Sequence, residues 1–112
     1  WIDWQASELN RSWSYAFMSL VRRSADCQDS AALAKGIEQW SKTMGILDQQ
    51  LLKTGAYVSG DRFSLADIPV GLSVNRWFET PLAHPDYAAV RAYYERLSQR
   101  EGFRLYGRNG TP

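Results

Sequence analysis

Gly60-Asp61-Arg62-Phe63-Ser64-Leu65-Ala66-Asp67-Ile68 carries every local signal of a helix start. Ser64 falls at the N-cap, where its hydroxyl accepts the backbone N–H of Asp67. Asp67 falls at N3, where its carboxylate reaches back to the N–H of Ser64. This is a capping box with Asp in place of the usual Glu or Gln. Phe63 before the cap and Ile68 after it form a hydrophobic staple. The charge of Asp67 suits the positive end of the helix dipole. Read from these residues alone, the box is a folding device. Losing the cap costs about 1 kcal/mol, and more if the freed N–H groups are buried away from water.

The box opens a helix over 65–78. Leu65, Ile68 and Leu72 share one face, with Val74 and Trp77 near the far end. After Asp67 only Arg76 and Glu79 are charged, which predicts the buried centre of a bundle. Pro69 is early enough to lose only one backbone bond, and Gly71 predicts a close approach. Upstream, Leu33, Ile37, Trp40, Met44, Leu47 and Leu51 repeat at helical spacing over 30–53. That is the narrow seam of an antiparallel helix pair. Asp29 or Ser30 caps its start and Gly55 ends it. Gly36 and Gly45 inside it predict a close crossing. Tyr57 and Val58, in the connection that follows, tuck into the core.

A first helix spans 1–23, with Leu9, Trp13, Phe17, Leu20 and Val21 on one face. Arg22 and Arg23 in its last turn suit the dipole, and 24–30 is a polar loop. Beyond the box, Thr80-Pro81-Leu82-Ala83-His84-Pro85 breaks the chain. Asp86 then opens a fourth helix to residue 100. Its inner face is Tyr87, Val90, Tyr94 and Leu97, which leaves Tyr93 on the surface. Gly102 is the helix-ending residue, Phe103 and Tyr106 form a short final turn, and 108–112 is a frayed tail. The fold class is all-α, a one-domain helical bundle of four main helices plus the short final turn.

At 112 residues with 45% hydrophobic content, the chain is long enough for one modest core. A net charge of +1 makes no case for nucleic acid or an anionic membrane. No apolar run approaches a membrane span, and the expectation is a protein without a signal peptide. One cysteine, Cys27, allows no intrachain disulfide and points to a reducing compartment. With a single histidine, His84, it excludes a structural zinc site. The chain opens at Trp1 within a helical pattern and carries five Trp. Both features predict that something precedes Trp1, and that part of this surface packs against it.

The search for catalytic chemistry is mostly negative. There is no Gly-rich phosphate loop, His-Glu metal spacing or nucleophile elbow. His84 sits between two prolines with no marked triad partner. Cys27 follows a helix C-terminus, which makes a poor nucleophile. Glu38, Asp48 and Glu95 read as solvated helix charges. What remains is a second stripe on the first helix: Trp4, Ser7, Arg11, Tyr15 and Met18. It is either an arginine lying over aromatic surface, or the wall of a pocket or interface.

Three stretches together resemble the C-terminal helical domain of bacterial glutathione S-transferases. They are Trp1-Ile2-Asp3-Trp4-Gln5, Phe63-Ser64-Leu65-Ala66-Asp67-Ile68, and the segment from Pro85 to Phe103 with Tyr93-Tyr94-Glu95-Arg96-Leu97. The middle motif is the most specific. The resemblance implies a preceding thioredoxin-like domain that holds most of the glutathione site and activates the thiol. It implies a cytoplasmic homodimer that uses glutathione as co-substrate, with no metal, and acts on a small hydrophobic electrophile. By position, Asp3, Trp4 and Ser7 stand near the dimer and glutathione. Trp4, Ser7, Arg11 and Tyr15 line the second-substrate site. On this reading the 112 residues alone are inactive. The competing reading is a non-catalytic helical interaction module, as similar domains are in translation factors and tRNA synthetases.

Overall fold

The computed structural model describes residues 1–110. Helix α1 is continuous from Ile2–Trp4 through a π-helical stretch, Gln5–Leu9, to Asn10–Leu20. Helix α2 is Ser30–Thr54, α3 Asp67–Glu79, α4 Ala88–Leu97 and α5 Glu101–Tyr106. The described residues contain no strand. A 3-10 turn, Ala25–Cys27, interrupts the loop between α1 and α2. The expected all-α bundle is therefore present.

The α2 seam behaves as its spacing predicts. Trp40, Met44, Leu47 and Leu51 are buried, with Leu33 and Ile37 packed against them. The Asp29 carboxylate caps the start by accepting the Ala31 N–H at 3.0 Å. Gly55 ends the helix at φ +78°, a left-handed backbone that glycine adopts without strain, and donates its N–H to Leu51 O at 2.8 Å. A Cβ at Gly36 would make only an ordinary contact, 3.6 Å from Tyr15 Cβ, whereas one at Gly71 would fall 2.8 Å from Leu97 Cδ1, the close approach expected there. The α1 contribution to the core is Leu9, Ala16 and Phe17. That helix stops at Leu20, so Arg22 and Arg23 lie past its end rather than in its last turn. Arg23, at φ 50°, turns the chain away.

The box at Ser64 is half of the expected one. Ser64 N–H donates to Asp67 Oδ2 at 2.9 Å, as predicted. The Ser64 hydroxyl does not accept the Asp67 N–H. It donates to Asp67 Oδ2 at 3.3 Å, while Ser64 O takes that N–H at 3.0 Å in a turn leading into the helix. Phe63 and Ile68, the expected staple pair, both line one groove. Phe63 meets the edge of Tyr57 at 5.9 Å and lies under the Arg100 guanidinium, while Ile68 stays half exposed.

The α3 face is also turned from expectation. Leu65, Ile68 and Leu72 are 75%, 50% and 42% exposed, and Val70, Val74 and Trp77 point into the core. Helix α3 has apolar residues on both sides, so spacing identified a face without saying which one the bundle would cover. Tyr93 and Tyr94 are both buried, because each hydroxyl has a partner inside. Helix α4 begins at Ala88, later than Asp86, and Gly102 lies within α5 instead of ending a helix. Arg108 is not frayed: it pairs with Glu95 at 2.8 Å and lies over the Tyr94 ring. Thr111 and Pro112 lie outside the described residues.

Candidate functional site

Gln5 and Asn10 are five apart, a spacing that an α-helix places on different sides. The π-helical stretch between them widens the turn and brings them together, a device frequent at functional sites. Gln5 Nε2 donates to Asn10 Oδ1 at 3.0 Å and to Ser73 Oγ at 2.8 Å. Ser73 Oγ in turn donates to Pro69 O at 3.0 Å. Asn10 Oδ1 also accepts Trp13 Nε1–H at 2.8 Å. This chain of bonds joins α1 to α3 and sets the orientation of the Trp13 indole.

Above that ring lies Arg76 from the last turn of α3. Its guanidinium carbon is 4.3 Å from the Trp13 centroid and 5.2 Å from that of Phe17. Arg22 approaches the same Phe17 ring at 5.6 Å. Burial, and then the Arg22 charge, hold the Arg76 pKa below its ordinary value.

The residues singled out on α1 occupy three environments. Arg11 and Tyr15 come together in a cleft of about 460 Å³ against α2, with Glu8, Lys35, Gln39 and Thr43. The Tyr15 hydroxyl there accepts the Asp29 N–H at 3.0 Å. Trp4 is half-buried, edge-on to Trp1 at 4.9 Å, and lies outside that cleft. Asp3 and Ser7 are exposed, and Ser7 Oγ donates to Asp3 O at 2.7 Å. A separate apolar groove of about 660 Å³ runs between α3 and α5. Phe63, Ile68, Leu72, Leu97, Phe103 and Tyr106 line it. Among the described residues no three His, Cys, Asp or Glu side chains converge as a metal site.

Asp67 is the most connected side chain near the groove. It is 1% exposed, and its Oδ1 accepts the Val58 N–H at 3.1 Å and the Tyr93 hydroxyl at 2.7 Å. With the two bonds from Ser64, four donors surround one carboxylate. That is a joint between the 54–63 connection, α3 and α4, with no reacting partner in reach. His84 is likewise structural: its Nε2–H donates to Trp77 O, and its ring meets the Trp77 ring edge-on.

The family model for the glutathione S-transferase C-terminal domain matches residues 13–101. The chain belongs to that family. Glutathione S-transferase GstB of Escherichia coli K12 is 26% identical to this chain over 104 residues, 93% of this chain and 50% of GstB. A theta class glutathione S-transferase from Xanthomonas axonopodis pv. citri, in its apo form, superposes with a TM-score of 0.88 at 30% identity. There the match covers 96% of this chain and 56% of that one. The same enzyme with glutathione bound gives 0.86 at 30% identity, covering 94% and 55%. The chain thus spans about half the length of the relatives it matches.

Sequence reasoning passed over Gln5, Asn10, Trp13 and Arg76 as a group. One signal was present: Arg76 is one of two charges in α3 after Asp67. It also passed over Asp48, read as a solvated charge. Asp48 is buried, and its Oδ1 accepts the N–H groups of Ala89 and Val90 at 2.9 and 3.1 Å.

Proposed function

We propose that this domain is the electrophile-binding half of a glutathione transferase. In the whole protein, a thioredoxin-like domain binds most of the glutathione and generates the thiolate. The helical half supplies an apolar wall that holds a small hydrophobic electrophile beside it. The observation that carries this reading is the 0.86 superposition on a glutathione-bound theta class enzyme at 30% identity. At that identity the likeness extends beyond the fold. Catalysis here amounts to lowering the thiol pKa in one domain and fixing the distance to the acceptor carbon with the other. Trp4, Ser7, Arg11 and Tyr15 are proposed substrate-side residues, and Asp3 stands near glutathione and the dimer partner. We place the protein in the cytoplasm as a homodimer.

The apolar groove supports the same reading. Ile68 at 50%, Leu72 at 42% and Tyr106 at 79% exposure make a face that a second domain would bury. We assign that face to the thioredoxin-like domain. The test is conjugation of glutathione to chlorodinitrobenzene by the full-length protein, beside the 112-residue chain. Turnover by the first and none by the second is expected. A full-length protein that conjugates neither chlorodinitrobenzene nor a panel of other electrophiles would overturn the reading and return the domain to a non-catalytic role.

A further inference from the structure

The Arg76 guanidinium is stacked on two aromatic rings and has no carboxylate partner among the described residues. Its Nε is buried and has no hydrogen-bond partner among the described residues. The ion pairs among those residues are Arg91–Asp86 and Arg108–Glu95, so no carboxylate neutralises Arg76 or Arg22. Instead two like charges are gathered over one ring, Phe17, an arrangement unfavourable in the absence of a counter-charge. The platform beneath is held by the Ser73–Gln5–Asn10–Trp13 chain of hydrogen bonds, so its position is built and not incidental. Arg76 sits at the C-terminal end of α3, where the dipole favours a cation, but that explains one arginine on one helix. It does not explain why the α1 end brings Arg22 to the same ring.

We propose that Arg76, flanked by Arg22 and seated on Trp13 and Phe17, binds the carboxylate of a small aromatic acid. The guanidinium fork engages the two carboxylate oxygens. The aromatic body of the ligand lies against the half-buried Trp13 indole, while Phe17, which is buried, only backs the two guanidinium groups. As a site beside the proposed substrate-side residues of α1, it would favour anionic aryl compounds, electrophiles among them, over neutral ones of the same shape. That substrate class rests on the glutathione transferase reading; the binding itself does not. Glutathione also carries carboxylates, so the experiment separates the two sources.

The measurement is calorimetric titration of the full-length protein with chloronitrobenzoate, with its neutral amide, and with glutathione. Wild-type protein should bind the acid at least ~10-fold more tightly than the amide, the scale of one charge-assisted hydrogen bond. R76Q should weaken the acid ~10-fold or more and leave the amide and glutathione unchanged. R22Q, at an exposed residue beyond α1 whose loss leaves the core intact, should weaken the acid about 3-fold. It keeps the test decisive if R76Q does not fold. Equal binding of acid and amide by wild-type protein overturns the proposal, as does unchanged acid binding in both variants. Loss confined to glutathione assigns the anion to the tripeptide and overturns the aromatic-acid site. Turnover of chlorodinitrobenzene in the same preparation reports separately on the transferase reading. A protein that binds the acid but conjugates nothing keeps this site and loses that reaction.

Discussion

Asp67 shows how much one side chain holds here. A carboxylate that is 1% exposed, with no ion pair among the described residues, stays in place because four donors point at it. Asp67→Ala strands two backbone N–H groups and the Tyr93 hydroxyl, and should lower stability by about 3 kcal/mol or more in urea unfolding. Tyr93→Phe removes one donor of four and should cost about 1 kcal/mol. The Ser64 end of this hub was legible because it lies three residues away. Val58 and Tyr93, at nine and 26 residues' separation, were not. The two tyrosines also make a pH prediction. Burial, and then the Asp67 carboxylate, push the Tyr93 phenol well above its usual 10. Burial raises Tyr94 to about 12 against the pull of Arg108. Both phenols ionise first in the unfolded chain, so it sheds protons that the folded one keeps. Stability should hold below about pH 10 and fall as pH rises towards about 12. A melting series should show this fall, and Tyr94→Phe should make it shallower.

The elements divide into those that announce themselves and those that borrow. Helix α2 carries its own cap, seam and terminator, and its observed span is close to the predicted one. Helix α4 lacks a side-chain cap of its own and takes one from Asp48, 41 residues earlier. Asp48→Ala should therefore cost about 1–2 kcal/mol, the range of a lost N-cap. Asp48→Asn, which keeps a capping oxygen, should cost less. Equal losses in the two variants, compared by urea unfolding, would show that the charge and not the cap matters. The turned face of α3 has a similar origin. A helix apolar on two sides is compatible with two rotations. The choice was made by Val70, Val74 and Trp77 meeting Trp40 and Tyr93 in the shared core.

For the whole molecule the consequence is an uncovered face. The groove between α3 and α5 leaves Ile68, Leu72 and Tyr106 exposed, and Leu105 on α5 is exposed as well. The 112-residue chain by itself should self-associate, and its sedimentation coefficient should rise with concentration. Leu72→Ser with Tyr106→Ser should reduce that association. A monodisperse monomer at high concentration would contradict it.

Local chemistry was sufficient for the class of the molecule. Heptad-like spacing, Gly55 at a left-handed cap and the Ser64–Asp67 pair act within one or two turns, and each could be read without a partner. They also carried the family. Long-range contact set the rest: which face of α3 is covered, that Tyr93 is inside, that Asp48 serves α4, and that Arg76 and Arg22 meet over Phe17. Those outcomes depend on side chains far apart in the chain, whose pairing costs loop entropy and is repaid only by the assembled core. A one-dimensional pattern lists such residues but does not say which of them will touch.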